Sequence, residues 1–369
     1  MTNRTFSRPA LSQVVINTDA LRHNLALIKE QLVPGKEIIA VVKANAYGHG
    51  AALVASILEK DIDAFAVAQP IEGIQLREAG IKKPIMVLCA PEATWAQVYA
   101  DYDLSAVVGD PDQLHFLPKG ISVHLKAETG MNRLGFRLEQ VDQMLTAISG
   151  RPDLDYQGLL THFANADHPD HPSLKSQSEL FGTISAQFPT HLQRHIASSA
   201  SVLNDTPYPY DGVRLGLILY GYPPPGMHNP GFRPAKQWLS HITQVRRITA
   251  GEPVSYGWTW KAPADGWLGI IPVGYADGYP RSMSNKAVVD LHDGPAQQVG
   301  RITMDYTIIW TPRRELLSGE EVTLLGGPNT GADQLAEWAG TINYEILCLS
   351  GTIGRGNIPF SPESNDHAS

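Results

Sequence analysis

The spacing of apolar residues changes character once along this chain, near residue 221. Before that point, short and nearly continuous apolar runs alternate with stretches of helical periodicity. The runs are IIAVVKAN (38–45), AFAVAQ (64–69), PIMVLC (84–89), SAVVGD (105–110), SVHLKAE (122–128), YQGLLTHF (156–163), RHIAS (194–198) and GVRLGL (212–217), eight in all. Strands covered on both faces read this way, without polar alternation. The spacing predicts a helix from residue 17, where Asn17, Thr18 and Asp19 offer N-caps and Leu21, Leu25, Ile28 and Leu32 share a stripe. The clearest intervening helix is predicted over 137–150, with Leu138, Val141, Met144, Leu145 and Ile148 on one face. Eight strands alternating with helices over about 200 residues predict a (β/α)8 barrel, whose typical length is about 250 residues. A doubly wound open sheet fits less well, since no Gly-x-Gly-x-x-Gly follows the first run.

The segment GYPPPGMHNPGFRP (221–234) carries no periodicity and reads as a long loop near a boundary. Beyond it QVRRIT, PVSYGWTW, WLGIIPVGY, AVVDL, TIIWT and EVTLL are punctuated by Gly, Pro and Asp, which predicts an antiparallel β domain. Short helices are expected at 332–339 and 343–350, and the tail SPESNDHAS is expected to fray. The expected fold class is thus α/β plus β. Residues 12–238 form an N-terminal (β/α)8 barrel and residues 239–369 a C-terminal antiparallel β domain, to which 1–11 would add a strand.

Composition narrows the partners. A formal net charge of −8 and a pI near 5.9 argue against nucleic acid. No run of about 18 apolar residues suggests a membrane span, and no apolar leader opens the chain. Two cysteines, Cys89 and Cys348, make no disulfide framework and suit a reducing compartment. The expectation is a cytoplasmic protein without a membrane partner.

Candidate chemistry gathers at the strand ends. In VVKANAYGHG (41–50), Lys43 ends an apolar run, at the barrel face where enzymes of this architecture keep their active sites. An apolar wall would lower its pKa, as a lysine that bonds carbonyl compounds requires. By position alone a lysine snorkelling to water is the commoner alternative. His162 closes the sixth run, and Ser199 and Arg214 fall at the ends of the seventh and eighth. Loops after strands seven and eight often form a phosphate site. Here Ser199 offers a hydroxyl and Gly216 a close backbone approach. A lysine plus a phosphate site in one barrel suggests pyridoxal 5'-phosphate. No metal is called for.

At this point the chain resembles the alanine racemases, pyridoxal-phosphate enzymes of fold type III. The likeness covers nearly the whole length, through VVKANAYGHG, LKAETGMNRLGF (125–136), THFANAD (161–167), VRLGLILYG (213–221), VSYGWTW (254–260), VGYADGYPR (273–281) and VGRITMDY (299–306). The resemblance implies that Lys43 carries the cofactor covalently and acts as one catalytic base. Tyr256, reaching in from the second subunit of a homodimer, would act as the other. It further implies that Tyr47, Ser199, Gly216 and Leu217 hold the phosphate, that Arg214 faces the pyridine nitrogen, and that His162 supports Arg214. Arg133 and the Met304 N–H would bind the substrate carboxylate. Lys126, carbamylated in many relatives or else an uncharged amine, would orient Arg133, while Tyr275 and Asp305 line the access route. The implied reaction interconverts L- and D-alanine and supplies D-alanine for peptidoglycan.

Three rivals stand beside it. One is a racemase of serine, lysine or several amino acids. Another is a fold-type III decarboxylase, against which Arg214 speaks, since such enzymes place an acid at the pyridine nitrogen. A non-catalytic pyridoxal-phosphate carrier would leave the C-terminal domain unexplained. The chain departs from the family pattern after TINYE: Gly351 and Thr352 stand where the resemblance would put a tyrosine that reaches the phosphate. His49 and His168 are expected to be surface or structural groups.

Overall fold

The structure, a computed structural model, describes residues 11–204 and 210–351. The expected strand over 1–11 (Leu11 apart), the fraying tail and the departure at Thr352 lie outside the described residues. Contacts divide the described chain into a unit of residues 19–46 and 51–233 and another of 11–18, 47–50 and 234–351.

Strands are numbered along the chain. β1 (Ser12–Ile16) belongs to the second unit. β2 (Glu37–Val41), β3 (Ala64–Val67), β4 (Ile85–Val87), β5 (Leu104–Val108), β6 (Ser122–Lys126), β7 (Asp155–Leu160), β8 (Gln193–Ser198) and β9 (Gly212–Leu215) close a parallel barrel in that order. Each overlaps one of the eight apolar runs. The runs lack polar alternation because their side chains fill the barrel on one face and pack on helices on the other: β4 and β5 are buried at every residue. The parallel register pairs Val41 with Ala66, Val67 with Val87, Val108 with Leu125, Lys126 with Leu160 and Ser198 with Arg214. Residues at the C-terminal strand ends therefore sit level around one rim.

The helix expected from residue 17 runs as an α-helix over Thr18–Leu27 and widens to a π-helix over Ile28–Leu32. The one expected over 137–150 is an α-helix over Val141–Ser149. Its preceding turn, Leu138–Gln140, is 3-10, which rotates Leu138 off the stripe and leaves it exposed.

In the second unit β10 (Lys236–His241), β11 (Gln244–Ile248), β14 (Gly266–Ile271), β15 (Val288–Leu291), β16 (Gly294–Gln298), β17 (Thr307–Thr311) and β18 (Glu321–Leu325) join β1 in an antiparallel sheet. Its order is β1-β10-β18-β15-β16-β17-β14-β11. The short strands β12 (Pro253–Val254) and β13 (Trp260–Lys261) pair separately. Helices follow at Ala332–Ala339 and Asn343–Leu349, as expected. Residues 12–16 and 236–238, read from the sequence as part of the barrel, lie in this sheet instead: 12–16 pair with 236–240, Ile16 opposite Lys236 and Ser12 opposite Ser240. Their apolar pattern fits either sheet; only the pairing partner, more than 200 residues away, assigns them. Lys236 is fully buried, and its ammonium donates to the Leu347 and Ser350 carbonyls, 2.8 and 2.7 Å, capping the helix Asn343–Leu349 from across the unit. Burial pushes this lysine down to about 7.

Candidate active site

Lys43 opens a six-residue helical turn, Lys43–Gly48, of unusual hand. Ala44, Asn45, Ala46, Tyr47 and Gly48 have φ of 52°, 53°, 54°, 51° and 73°, so the turn is left-handed. Left-handed helix costs roughly 1–2 kcal/mol per non-glycine residue, because Cβ crowds the following carbonyl. Several bonds hold the turn. The Ala46 N–H donates to the Val42 carbonyl at 2.8 Å, the Ala44 N–H to Glu72 Oε1 at 2.6 Å, and the Ala51 N–H to Asn45 Oδ1 at 2.8 Å. At its end Gly48 must be glycine twice over: its φ is positive, and a Cβ there would collide with the Leu347 carbonyl oxygen. The sequence placed Lys43 in the strand; the structure puts it just past the end, half-buried, where the chain turns back.

Arg214, on β9, is buried in the barrel and shares its guanidinium among polar groups of β8 and of the residues just after β7. Nη1 donates to His195 Nδ1 (2.7 Å) and the His195 carbonyl (2.8 Å), and Nη2 to the Thr161 carbonyl (2.6 Å), His162 Nδ1 (3.2 Å) and the Ile196 carbonyl (3.3 Å). Among the described residues its Nε–H has no acceptor. Burial pushes Arg214 down to about 10, so it stays protonated at neutral pH. Burial first, and then the Arg214 charge, hold His162 and His195 well below the usual histidine range. Behind them His124 Nδ1 lies 3.2 Å from His195 Nε2, and His124 is held at about 4 by burial and Arg214. Since Nδ1 of His195 accepts from arginine, its Nε2 carries the proton and donates to His124. Gly158 on β7 leaves the room: a Cβ there would overlap His124 Nδ1.

The Ser199 hydroxyl, just past β8, accepts from the Gly216 N–H at 3.0 Å, joining the seventh and eighth strand ends. Leu217 follows at the start of a buried 3-10 turn, Leu217–Tyr220. Across the rim, Lys126 at the end of β6 and Arg133 in the next loop line a cavity of about 260 Å³ with Leu88, Asp110 and Gln113. The Glu128 carboxylate folds this loop by accepting from the Gly130 and Arg133 N–H groups, 2.5 and 3.2 Å. Burial, with Arg133 and Arg214 adding to it, pushes Lys126 down to about 8. Lys43, Lys126, Arg133 and Arg214 all act on His162, so this rim concentrates positive charge.

Of the expected site residues, Lys43, Lys126, Arg133, His162, Ser199, Arg214, Gly216 and Leu217 lie in the barrel unit. Tyr47, Tyr256, Tyr275, Met304 and Asp305 lie in the other. Tyr47 is buried with its ring centroid 6.1 Å from that of Tyr344, and burial raises its phenol well above the tyrosine range. Tyr256 is 71% exposed. It sits in a strained loop where Ser255, Gly257 and Trp258 all have positive φ, and the Ser255 hydroxyl is tied to the Arg301 carbonyl at 2.7 Å. Tyr275 and Met304 are joined through the backbone, Ala276 N–H to the Met304 carbonyl at 3.1 Å, with half-buried Asp305 next to Met304. His49 is buried rather than at the surface, 3.0 Å from the Tyr47 carbonyl, whereas His168 is exposed beside Asp167. The sequence reading missed His124, His195 and Glu72. The first had a signal: in SVHLK it is two residues before Lys126 and so on the same face of the strand.

Residues 16–224 match the family model described as alanine racemase, N-terminal domain, and residues 235–355 that described as alanine racemase, C-terminal domain. An alanine racemase of Nostoc sp. is 40% identical, covering 91% of this chain and 92% of its own. Among solved structures, the alanine racemase of Clostridium difficile 630 superposes with a TM-score of 0.88 at 31% identity, covering 93% of this chain and 94% of its own. That of Bartonella henselae, solved with covalently bound pyridoxal phosphate, has a TM-score of 0.85 at 26% identity, covering 96% and 100%.

Proposed function

The chain belongs to the alanine racemase family, and from that premise we propose that it interconverts L- and D-alanine with pyridoxal 5'-phosphate as its cofactor. The observation that carries the reading is the donor set of the barrel rim. A pyridine nitrogen accepts one N–H, and Arg214 has one N–H group, at Nε, without an acceptor among the described residues. A phosphate needs donors, and the Ser199 hydroxyl, whose oxygen accepts from the Gly216 N–H, keeps its own proton to donate. The residues present therefore fit the cofactor. Lys43 would hold it covalently, Tyr47, Ser199, Gly216 and Leu217 its phosphate, and Arg214 its ring nitrogen.

When bound, pyridoxal phosphate supplies an electron sink that makes the α-proton of the amino acid removable. Arg214, flanked by neutral imidazoles, offers the ring nitrogen a hydrogen bond without giving up its proton. That weakens the sink and favours prompt return of the α-proton. The Lys43 amine takes or returns that proton on one face, and the Tyr256 phenol does so on the other. Arg133, with the Met304 N–H, holds the substrate carboxylate, and Lys126 orients Arg133. Tyr256 would come from the second subunit of a homodimer, for which the exposed Tyr256 and Trp258 offer an aromatic contact. In the cell the D-alanine would serve peptidoglycan synthesis in the cytoplasm. No helix among the described residues is long and apolar enough to cross a membrane.

The test is α-proton exchange in D2O, followed by NMR, on protein loaded with pyridoxal phosphate and given L-alanine, L-serine or L-lysine. Fast exchange on alanine with D-alanine as product is expected, and Lys43→Ala should lower it by roughly 10²–10⁴-fold or more. Faster turnover of serine or lysine would replace the substrate; bound cofactor without exchange on any of the three would replace the reaction.

A further inference from the structure

Neighbouring parallel strands exchange hydrogen bonds in a fixed alternation, and β2 and β3 obey it only as far as residue 42. The Val42 N–H donates to the Ala66 carbonyl at 2.9 Å. The ladder would next bond the Ala68 N–H to the Val42 carbonyl, then the Ala44 N–H to the Ala68 carbonyl. Neither bond is made. The Val42 carbonyl accepts instead from Ala46, inside the left-handed turn, and the Ala68 carbonyl accepts from the Cys89 N–H at 3.0 Å. Two backbone donors, one of them immediately after Lys43, lose their ladder partners when the chain turns.

Both are taken by one carboxylate. Glu72 Oε1 accepts from the Ala44 N–H at 2.6 Å, and Oε2 from the Ala68 and Gln69 N–H groups at 2.7 and 3.0 Å. Glu72 is at the third position of the helix Pro70–Glu78, where a glutamate ordinarily reaches back to the N-cap residue alone. Here its second oxygen crosses to the neighbouring strand end. We infer that Glu72 is a positioning residue for Lys43: its carboxylate splices the ends of β2 and β3, holds the sterically uphill turn, and so fixes where the lysine amine emerges. The inference rests on Lys43 being the cofactor lysine, as proposed above.

The chemistry of the acceptor makes this testable. A carboxylate accepts on both oxygens, whereas a carboxamide of the same shape accepts on one and presents N–H groups on the other. In Glu72→Gln, either the Ala44 or the Ala68 side must face a donor with a donor. The experiment compares wild type, Glu72→Gln and Glu72→Ala for affinity toward pyridoxal 5'-phosphate and toward pyridoxamine 5'-phosphate, which has the same ring and phosphate but no aldehyde for lysine. Borohydride reduction and peptide mass mapping identify the lysine labelled by the aldehyde. For both variants the pyridoxal phosphate Kd should rise about tenfold, as hydrogen bonds to a charged acceptor warrant, while the pyridoxamine phosphate Kd, which feels the turn only through Tyr47, should rise severalfold less. An equal loss for both compounds would reduce Glu72 to general structural support and overturn the inference, as would unchanged affinity for both. A wild-type label on a lysine other than Lys43 would overturn the cofactor reading itself, an outcome separable from the first two.

Discussion

Arg214 is the charge around which the barrel interior is arranged. Three imidazoles surround or back it, and all three are held neutral, chiefly by burial and then by the arginine charge. Neutral histidines give Arg214 acceptors without competing for its proton, and the relay Arg214–His195–His124 fixes which nitrogen of each ring is protonated. The same burial has a cost in acid. A histidine whose folded pKa lies below its unfolded value of about 6.5 binds fewer protons folded than unfolded. Stability is then fully present above about pH 6.5 and is lost as pH falls toward the folded value, which for His124 is about 4. Each such group contributes at most about 1.4 kcal/mol per pH unit in that window. Urea unfolding at pH 7 and pH 4.5 should show wild type losing more stability over the interval than His124→Gln. Equal losses would mean that His124 does not stay neutral in the folded state.

At the scale of elements, the left-handed turn is where local preference and tertiary structure disagree most. Nothing in KANAYG favours left-handed backbone except Asn45 and Gly48, and Ala44, Ala46 and Tyr47 carry the steric penalty. The turn survives because Val42, Glu72 and Ala51 supply its hydrogen bonds and because Gly48 packs against the Leu347 carbonyl. Gly48→Ala should therefore lower the stability of the apoprotein by more than the ~1 kcal/mol of an ordinary glycine-to-alanine change at positive φ. Differential scanning calorimetry of the apoprotein would report it, and a melting temperature equal to wild type would refute the packing argument. Recognition from sequence worked unevenly among elements. The eight barrel strands were legible because burial on both faces makes each a continuous apolar run, set off by the helical stretches on either side. β1, β10 and β16 were missed. The first two were absorbed into the barrel, and GPAQQ in β16 has neither β-branched nor aromatic residues to announce a strand.

For the whole molecule, the proposed reaction needs Lys43 and Tyr256 at one centre, with the tyrosine supplied by a second copy of the chain. Neither Lys43→Ala nor Tyr256→Phe should then turn over alanine alone. Mixed and allowed to exchange subunits, the two variants should recover about a quarter of wild-type activity, because half the dimers are mixed and one of their two sites is intact. No recovery, with exchange verified by differently tagged subunits, would place both bases in the same copy.

The sequence by itself determined the fold class and most of the strand map, because apolar periodicity is a local property that burial on one or two faces imposes directly. Through long motifs in order it also determined the family. Tertiary structure alone decided the rest: that residues 12–16 pair with 236–240, that Lys43 stands on a left-handed turn, and that His124, His195 and Glu72 complete the surroundings of Arg214 and Lys43. Each of these joins residues tens or hundreds of positions apart. Such contacts leave no periodic trace in the chain, since hydrogen-bond partners are chosen by proximity in the folded state.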